Sequence, residues 1–154
     1  MLSVLAFALA AFAIAPARAA AACPNAGFTI VEAKASPKTR PVKDGPRHTL
    51  FVRRDALTVT TDITEIKLES DGYDTALLLK FKPEAAARLH DATTNRSGLR
   101  VAFVANQRVI SAVTWTGPYG MDADQGVQLS LGGPAPRLRP LVEAISKCIA
   151  ASPG

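Results

Sequence analysis

The sequence predicts an α+β domain: an antiparallel sheet with two helices packed on one face. Three observations carry that prediction. In two stretches, after Phe81 and after Pro136, apolar residues recur at three and four positions, the period of a helix that buries one side. Elsewhere they alternate with polar residues, the period of a strand covered on one face. Between these runs stand Gly, Pro, Asn and Asp, the residues that make turns, with neither an internal repeat nor a low-complexity tract.

The chain opens with an apolar run from Leu2 to Ala15, broken only by Ser3, followed by Pro16 and the small-residue series Ala17-Arg18-Ala19. This is the pattern of a secretory leader over residues 1–22, with cleavage expected after Ala19 or Ala21. The apolar run is shorter than the roughly 20 residues that span a bilayer. It lacks a Lys or Arg before it, so the amino terminus supplies the only positive charge there. About 130 residues then remain, enough for one domain with a modest core.

The rest divides into an N-terminal strand and Pro-containing basic loop over 23–48 and the α+β domain over 49–150. Phe28, Ile30 and Val31 mark a first short strand. From Ser36 to Arg47 the chain carries Pro37, Pro41, Gly45 and Pro46 without periodicity and reads as a loop. Lys34, Lys38, Arg40, Lys43 and Arg47 cluster in it. Such a cluster can attract an anionic membrane surface or polymer, or simply form a solvated arm. The arm is the plainer reading, because no aromatic residues are interleaved as stacking platforms, and no nucleic-acid partner is expected. The whole chain has 18 Lys plus Arg against 13 Asp plus Glu, a net charge of +5 that drops by one without Arg18.

Leu50 to Val52 reads as a strand, and Arg53-Arg54-Asp55 as a polar break before Leu57 and Val59. Ile66 and Leu68 lie on one side of the run Ile63 to Glu69, with Glu65, Lys67 and Glu69 on the other. Asp71-Gly72 is a tight-turn signal, after which Leu77, Leu79 and Phe81 face the core and Lys80 and Lys82 face out. These neighbouring runs are expected to pair. Pro83 and Glu84 then start a helix, since a first turn tolerates a missing N–H and favours negative charge. Ala85, Ala86, Leu89, Ala92 and Thr93 form its narrow apolar stripe, and Asn95 and Gly98 are natural stops.

Leu99 to Val104 and Arg108 to Trp115 form a predicted hairpin, turning at Ala105, Asn106 and Gln107. Leu99, Val101 and Phe103 belong to a buried face, and Arg100 and Ala102 to one only partly covered. A loop follows with Gly117, Pro118, Gly120, Asp122, Asp124 and Gly126, then a half-buried strand with Val127, Leu129 and Leu131. After the break from Gly132 to Pro136, Leu138, Leu141, Val142, Ile145, Cys148 and Ile149 mark the strongest amphipathic helix. Pro140 falls in its first turn and Lys147 in its last.

Cys23 and Cys148 are the only cysteines. In an exported chain their simplest pairing is with each other, a bridge that pins the first strand. The competing reading makes Cys23 a lipid-modified amino terminus, because small residues precede it as they precede acylated cysteines. Ala20 stands where leucine is usual.

The order of these motifs resembles the head subdomain of the first periplasmic region of the SecD and SecDF protein-export membrane proteins. The resemblance covers roughly Leu57 to Leu131. It runs through Thr61-Asp62-Ile63-Thr64, the strand and Ala-rich helix from Leu79 to Leu89, then Thr93 to Asn95 and Leu99 to Val104. Val109-Ile110-Ser111-Ala112 and Gly126-Val127-Gln128-Leu129-Ser130 continue it. Val113 replaces the family's usual proline, and Ala105-Asn106-Gln107 its Asp-Gly turn. The family's transmembrane bundle has no counterpart in the sequence. The resemblance implies contact with polypeptide emerging from a translocon.

The residues themselves point away from catalysis. No Gly-x-Ser-x-Gly elbow is present, the serines lack an evident base, and His90 beside Asp91 reads as a surface pair. His48 falls in the loop region. Asp122-Ala123-Asp124-Gln125-Gly126 begins like a calcium loop but lacks its later ligands, and CxxC spacing is absent. Neither enzyme activity, a metal nor a cofactor is expected. Trp115, Tyr119 and Met121 bracket the Gly117-Pro118 turn and are candidates for binding a protein or extended polypeptide by strand addition, unless the Trp simply packs on the sheet end. The expectation is a periplasmic binding module, with an envelope lipoprotein tethered through Cys23 as the alternative. Envelope or translocon components are the expected partners.

Overall fold

The computed structural model describes residues 22–70, 73–94, 96–119, 126–131 and 137–152. The elements follow as β1 (Ala26–Glu32), β2 (Thr39–Asp44), β3 (His48–Arg53), a 3-10 turn at Thr60–Asp62, β4 (Ile63–Ser70), β5 (Thr75–Phe81), α1 (Pro83–Thr93), β6 (Leu99–Ala105), β7 (Arg108–Trp115), β8 (Val127–Ser130) and α2 (Arg139–Ala151). The class is α+β with two helices, but the strands divide between two sheets. Five close a small barrel in the order β1-β3-β2-β7-β6, and β4-β5-β8 form a separate antiparallel sheet.

The predicted loop over Ser36 to Arg47 is corrected by β2, which pairs antiparallel with β3 from Thr39↔Arg53 to Asp44↔His48. Its buried residues, Thr39 and Val42, are three apart, so the strand carries no period-two signal. Pro41 is tolerated because β2 is a near-edge strand, meeting β7 at the single parallel pair Lys43↔Arg108.

β6 is the strand whose buried residues serve both cores. Val101, Phe103 and Ala105 face the main core with Phe28, Leu77, Leu79, Phe81, Leu89 and Ile145. Ala102 and Val104, on the other face, fill the barrel interior with Val42 and Val52. The face expected to be partly covered is therefore fully buried from Val101 to Ala105, because barrel closure places a second layer there. Phe28 anchors the junction, its ring 5.3 Å from Phe103, 5.9 Å from Phe81 and 6.1 Å from Trp115. Each such pair contributes about 0.5–1.5 kcal/mol beyond area burial.

The β6–β7 hairpin turns at Asn106 and Gln107, both with positive φ (48° and 64°), the twist a two-residue antiparallel turn requires. Between Phe103↔Ser111 and Val104↔Val109 the register jumps, leaving Ile110 as the extra residue of a bulge. α1 begins with Pro83 and Glu84 as expected and buries Ala85, Ala86, Leu89 and Thr93. α2 packs on β4 through the fully buried Ile145. It extends to Ala151, so Lys147 lies outside its last turn.

Candidate functional site

The predicted aromatic cluster forms at the end of β7, but it points inward. Trp115 is half-buried, its ring edge-on to Phe28 and to Tyr119, each at 6.1 Å. Tyr119 is buried at 5% exposure. Its backbone N–H donates to Thr93 Oγ1 at 2.7 Å, and Thr93 Oγ1 in turn donates to the Leu89 carbonyl at 2.8 Å. His90 Nδ1 lies 2.5 Å from the Tyr119 carbonyl oxygen; that oxygen can only accept, so Nδ1 carries the hydrogen. Two side chains of α1 therefore fasten the start of the loop. Among the described residues the Tyr119 hydroxyl has no hydrogen-bond partner, and burial raises its pKa above the ordinary 10.0. Met121, like the Asp122–Asp124 stretch, lies outside the described residues.

The accessible feature beside this cluster is the rim of β7. One side of the strand is laddered to β6 from Leu99↔Trp115 to Ala105↔Arg108. On its other side, among the described residues, the register holds only Lys43↔Arg108, so beyond Arg108 the outer edge of β7 is unpaired. An unpaired edge is a template for another strand. Where β7 departs from β2, a groove of about 710 Å³ opens, bordered by the β2–β3 turn, the β6–β7 hairpin and the first turn of α2. Sequence reasoning missed this groove. Lys43 stood out in the basic cluster, but Arg108 and Arg137 are single cations far from it in the chain.

Cys23 and Cys148 are joined in a disulfide with Cα atoms 5.7 Å apart. A sulfur in a disulfide cannot carry a thioether lipid, and a bridge of this kind belongs to an oxidising compartment. Arg88 of α1 donates to Asp62 Oδ2 at 2.6 Å and to the Leu57 carbonyl at 3.1 Å, holding the segment before β4. On the outer face of the three-stranded sheet, hydrogen bonds from Lys67 and then Lys80 hold the Glu65 carboxyl below its usual pKa. These are structural contacts. His48 opens β3 opposite Asp44, remote in the chain from His90. Among the described residues no three His, Cys, Asp or Glu converge as metal ligands, and no helix is long and apolar enough to cross a membrane.

Neither a family model nor a curated protein matches the sequence. Solved structures do match in fold. One, of SecDF as a membrane component that enhances protein export, aligns with a TM-score of 0.55 at 18% identity, over 84% of this chain and 63% of that one. This chain is similar in fold to SecDF. A second structure, SecDF in a super-membrane-facing form, gives a TM-score of 0.52 at 18% identity, over 84% of this chain and 19% of the other. The chain thus spans under two thirds of either SecDF structure. The structural likeness extends well beyond the Leu57–Leu131 stretch that carries the sequence resemblance.

Proposed function

We propose that this protein is an exported, non-enzymatic module of the periplasm that binds protein or extended polypeptide, as its resemblance to the SecD head implies. The observation that carries the reading is the outer edge of β7, paired with β2 at one position only, on a fold similar to that of SecDF. A strand in that state offers backbone donors and acceptors to an incoming chain, and the partner's alternate side chains then meet whatever lines the edge. Trp115 belongs to this proposal as the support behind the edge. Its edge-on contacts with Phe28 and Tyr119 hold β7 in place. Tyr119 lies at the same end of the strand, and Met121 is proposed with it from the sequence alone.

Hydrogen exchange tests the reading without mutating the core. Short extended peptides added to the oxidised protein are expected to protect the amides of 109–115 selectively. Protection confined to β4 or β8, or none at any peptide concentration, would remove β7 as the binding edge.

A further inference from the structure

We propose that the groove beside the β6–β7 turn selects an acidic, extended polypeptide segment for the β7 edge. The inference rests on the reading that β7 accepts an added strand, and it specifies what that strand carries. Lys43, Arg108 and Arg137 stand around the groove, with Val109, Ile110 and Leu141 among its apolar lining.

Lys43 and Arg108 are register partners across β2 and β7, so their side chains rise side by side. Like charges placed so are mutually repulsive. Four cations elsewhere have carboxylates at hand, Arg53 with Asp55, Lys67 and Lys80 with Glu65, and Arg88 with Asp62; what sets this groove apart is that three cations converge on one apolar-lined concavity. Among the described residues, no carboxylate lines this groove and none of its three cations forms an ion pair. Anionic groups arriving from outside relieve the repulsion.

The backbone then decides what brings those groups. A free anion or a lipid headgroup satisfies the cations but leaves the β7 edge unpaired. A polypeptide satisfies both. Extended chain turns successive side chains to opposite sides, so a segment alternating acidic and apolar residues sets carboxylates against the cations and apolar groups against Val109 and Ile110. The bulge at Ile110 lies in the groove's lining, where the unpaired edge of β7 begins.

The test measures binding of fluorescent octapeptides to the oxidised protein by anisotropy. The probes are an alternating Asp/Val peptide, its Ser/Val and Lys/Val counterparts, and an Asp/Val peptide N-methylated at alternate amides. The Asp/Val peptide is expected to bind about tenfold or more tighter than Lys/Val, and to weaken with added salt. Arg108→Glu and Arg137→Glu, both at exposed positions, should each weaken it several-fold while the circular dichroism spectrum stays unchanged. N-methylation should abolish binding. Equal binding of all three unmethylated peptides, indifferent to both variants, would overturn acidic selection and leave peptide binding standing. Failure of every peptide to bind would overturn both. Full binding of the N-methylated peptide, or charge-dependent binding of anionic vesicles in place of peptides, would replace the polypeptide with an anionic surface.

Discussion

Gly27 is where side-chain volume is least tolerated. A Cβ there would lie 1.9 Å from the Thr58 carbonyl oxygen and 2.7 Å from its carbon, because the chain from Leu57 to Thr60 is stitched along β1. The Phe28 N–H donates to Thr58 Oγ1 at 2.9 Å and the Ala26 N–H to Thr60 Oγ1 at 2.7 Å. The Leu57 N–H donates to the Phe28 carbonyl at 2.8 Å. Gly27→Ala therefore sets a methyl group against backbone that four contacts hold in place, counting the clamp from Arg88. A loss of about 3 kcal/mol is expected in urea unfolding, the upper part of the usual overpacking range. An unchanged midpoint would mean that the Leu57–Thr60 segment gives way freely. Tyr119 makes the opposite kind of prediction. Its phenol is buried and raised in pKa, so folded and unfolded chains are both protonated below about pH 10 and stability is unaffected there. Above that pH the unfolded chain ionises first, the native state holds the extra proton, and stability falls. Tyr119→Phe is expected to be neutral or slightly stabilising at neutral pH, since among the described residues the hydroxyl has no partner, and to flatten the alkaline decline. A decline of the same steepness in the variant would assign it to another group.

Among the elements, α2 depends most on a distant attachment. Ile145 fixes its middle to β4 and the disulfide fixes its last turns to the residue run before β1. With Cys148→Ser, hydrogen exchange in 139–151 and 23–28 is expected to quicken markedly more than in β4 and β5, and global stability to fall by at most about 5 kcal/mol. Uniform quickening across all strands would show that the bridge holds the whole domain rather than one helix. The elements legible in the sequence are those whose signals are local. Pro83 and Glu84 announce α1, the alternation around Leu77 and Leu79 announces β5, and turn residues separate β6 from β7. β2 was not legible, because its strand state depends on β3 and on barrel closure, and Pro41 argues against it locally. Nor does an alternating pattern say which sheet a strand joins: Leu79 and Phe103 alternate alike and lie in different sheets. At the candidate site the aromatic identities of Trp115 and Tyr119 were visible, but not their inward aim, which the ring of Phe28 determines. The groove cations were invisible as a group, since only folding brings Lys43, Arg108 and Arg137 together.

At the scale of the molecule, two small cores share β6 through its buried residues, and β1 and β7 reach both with the help of partly buried ones. The barrel interior and the main core meet at β6, so the three-stranded sheet and both helices are joined to the barrel through apolar contacts. The likeness in fold to SecDF spans 84% of the chain, more than the Leu57–Leu131 stretch that carries the sequence resemblance. The disulfide has a mechanical consequence. It links positions 125 residues apart, closing the chain between them into a covalent ring. Tension applied across the two cysteines from outside the ring runs through the sulfur bridge and leaves the enclosed chain unloaded. A machine that drew this protein through a narrow pore from one end would meet a doubled chain at Cys23 or Cys148, and would have to stop, widen or reduce the bond before the fold could pass.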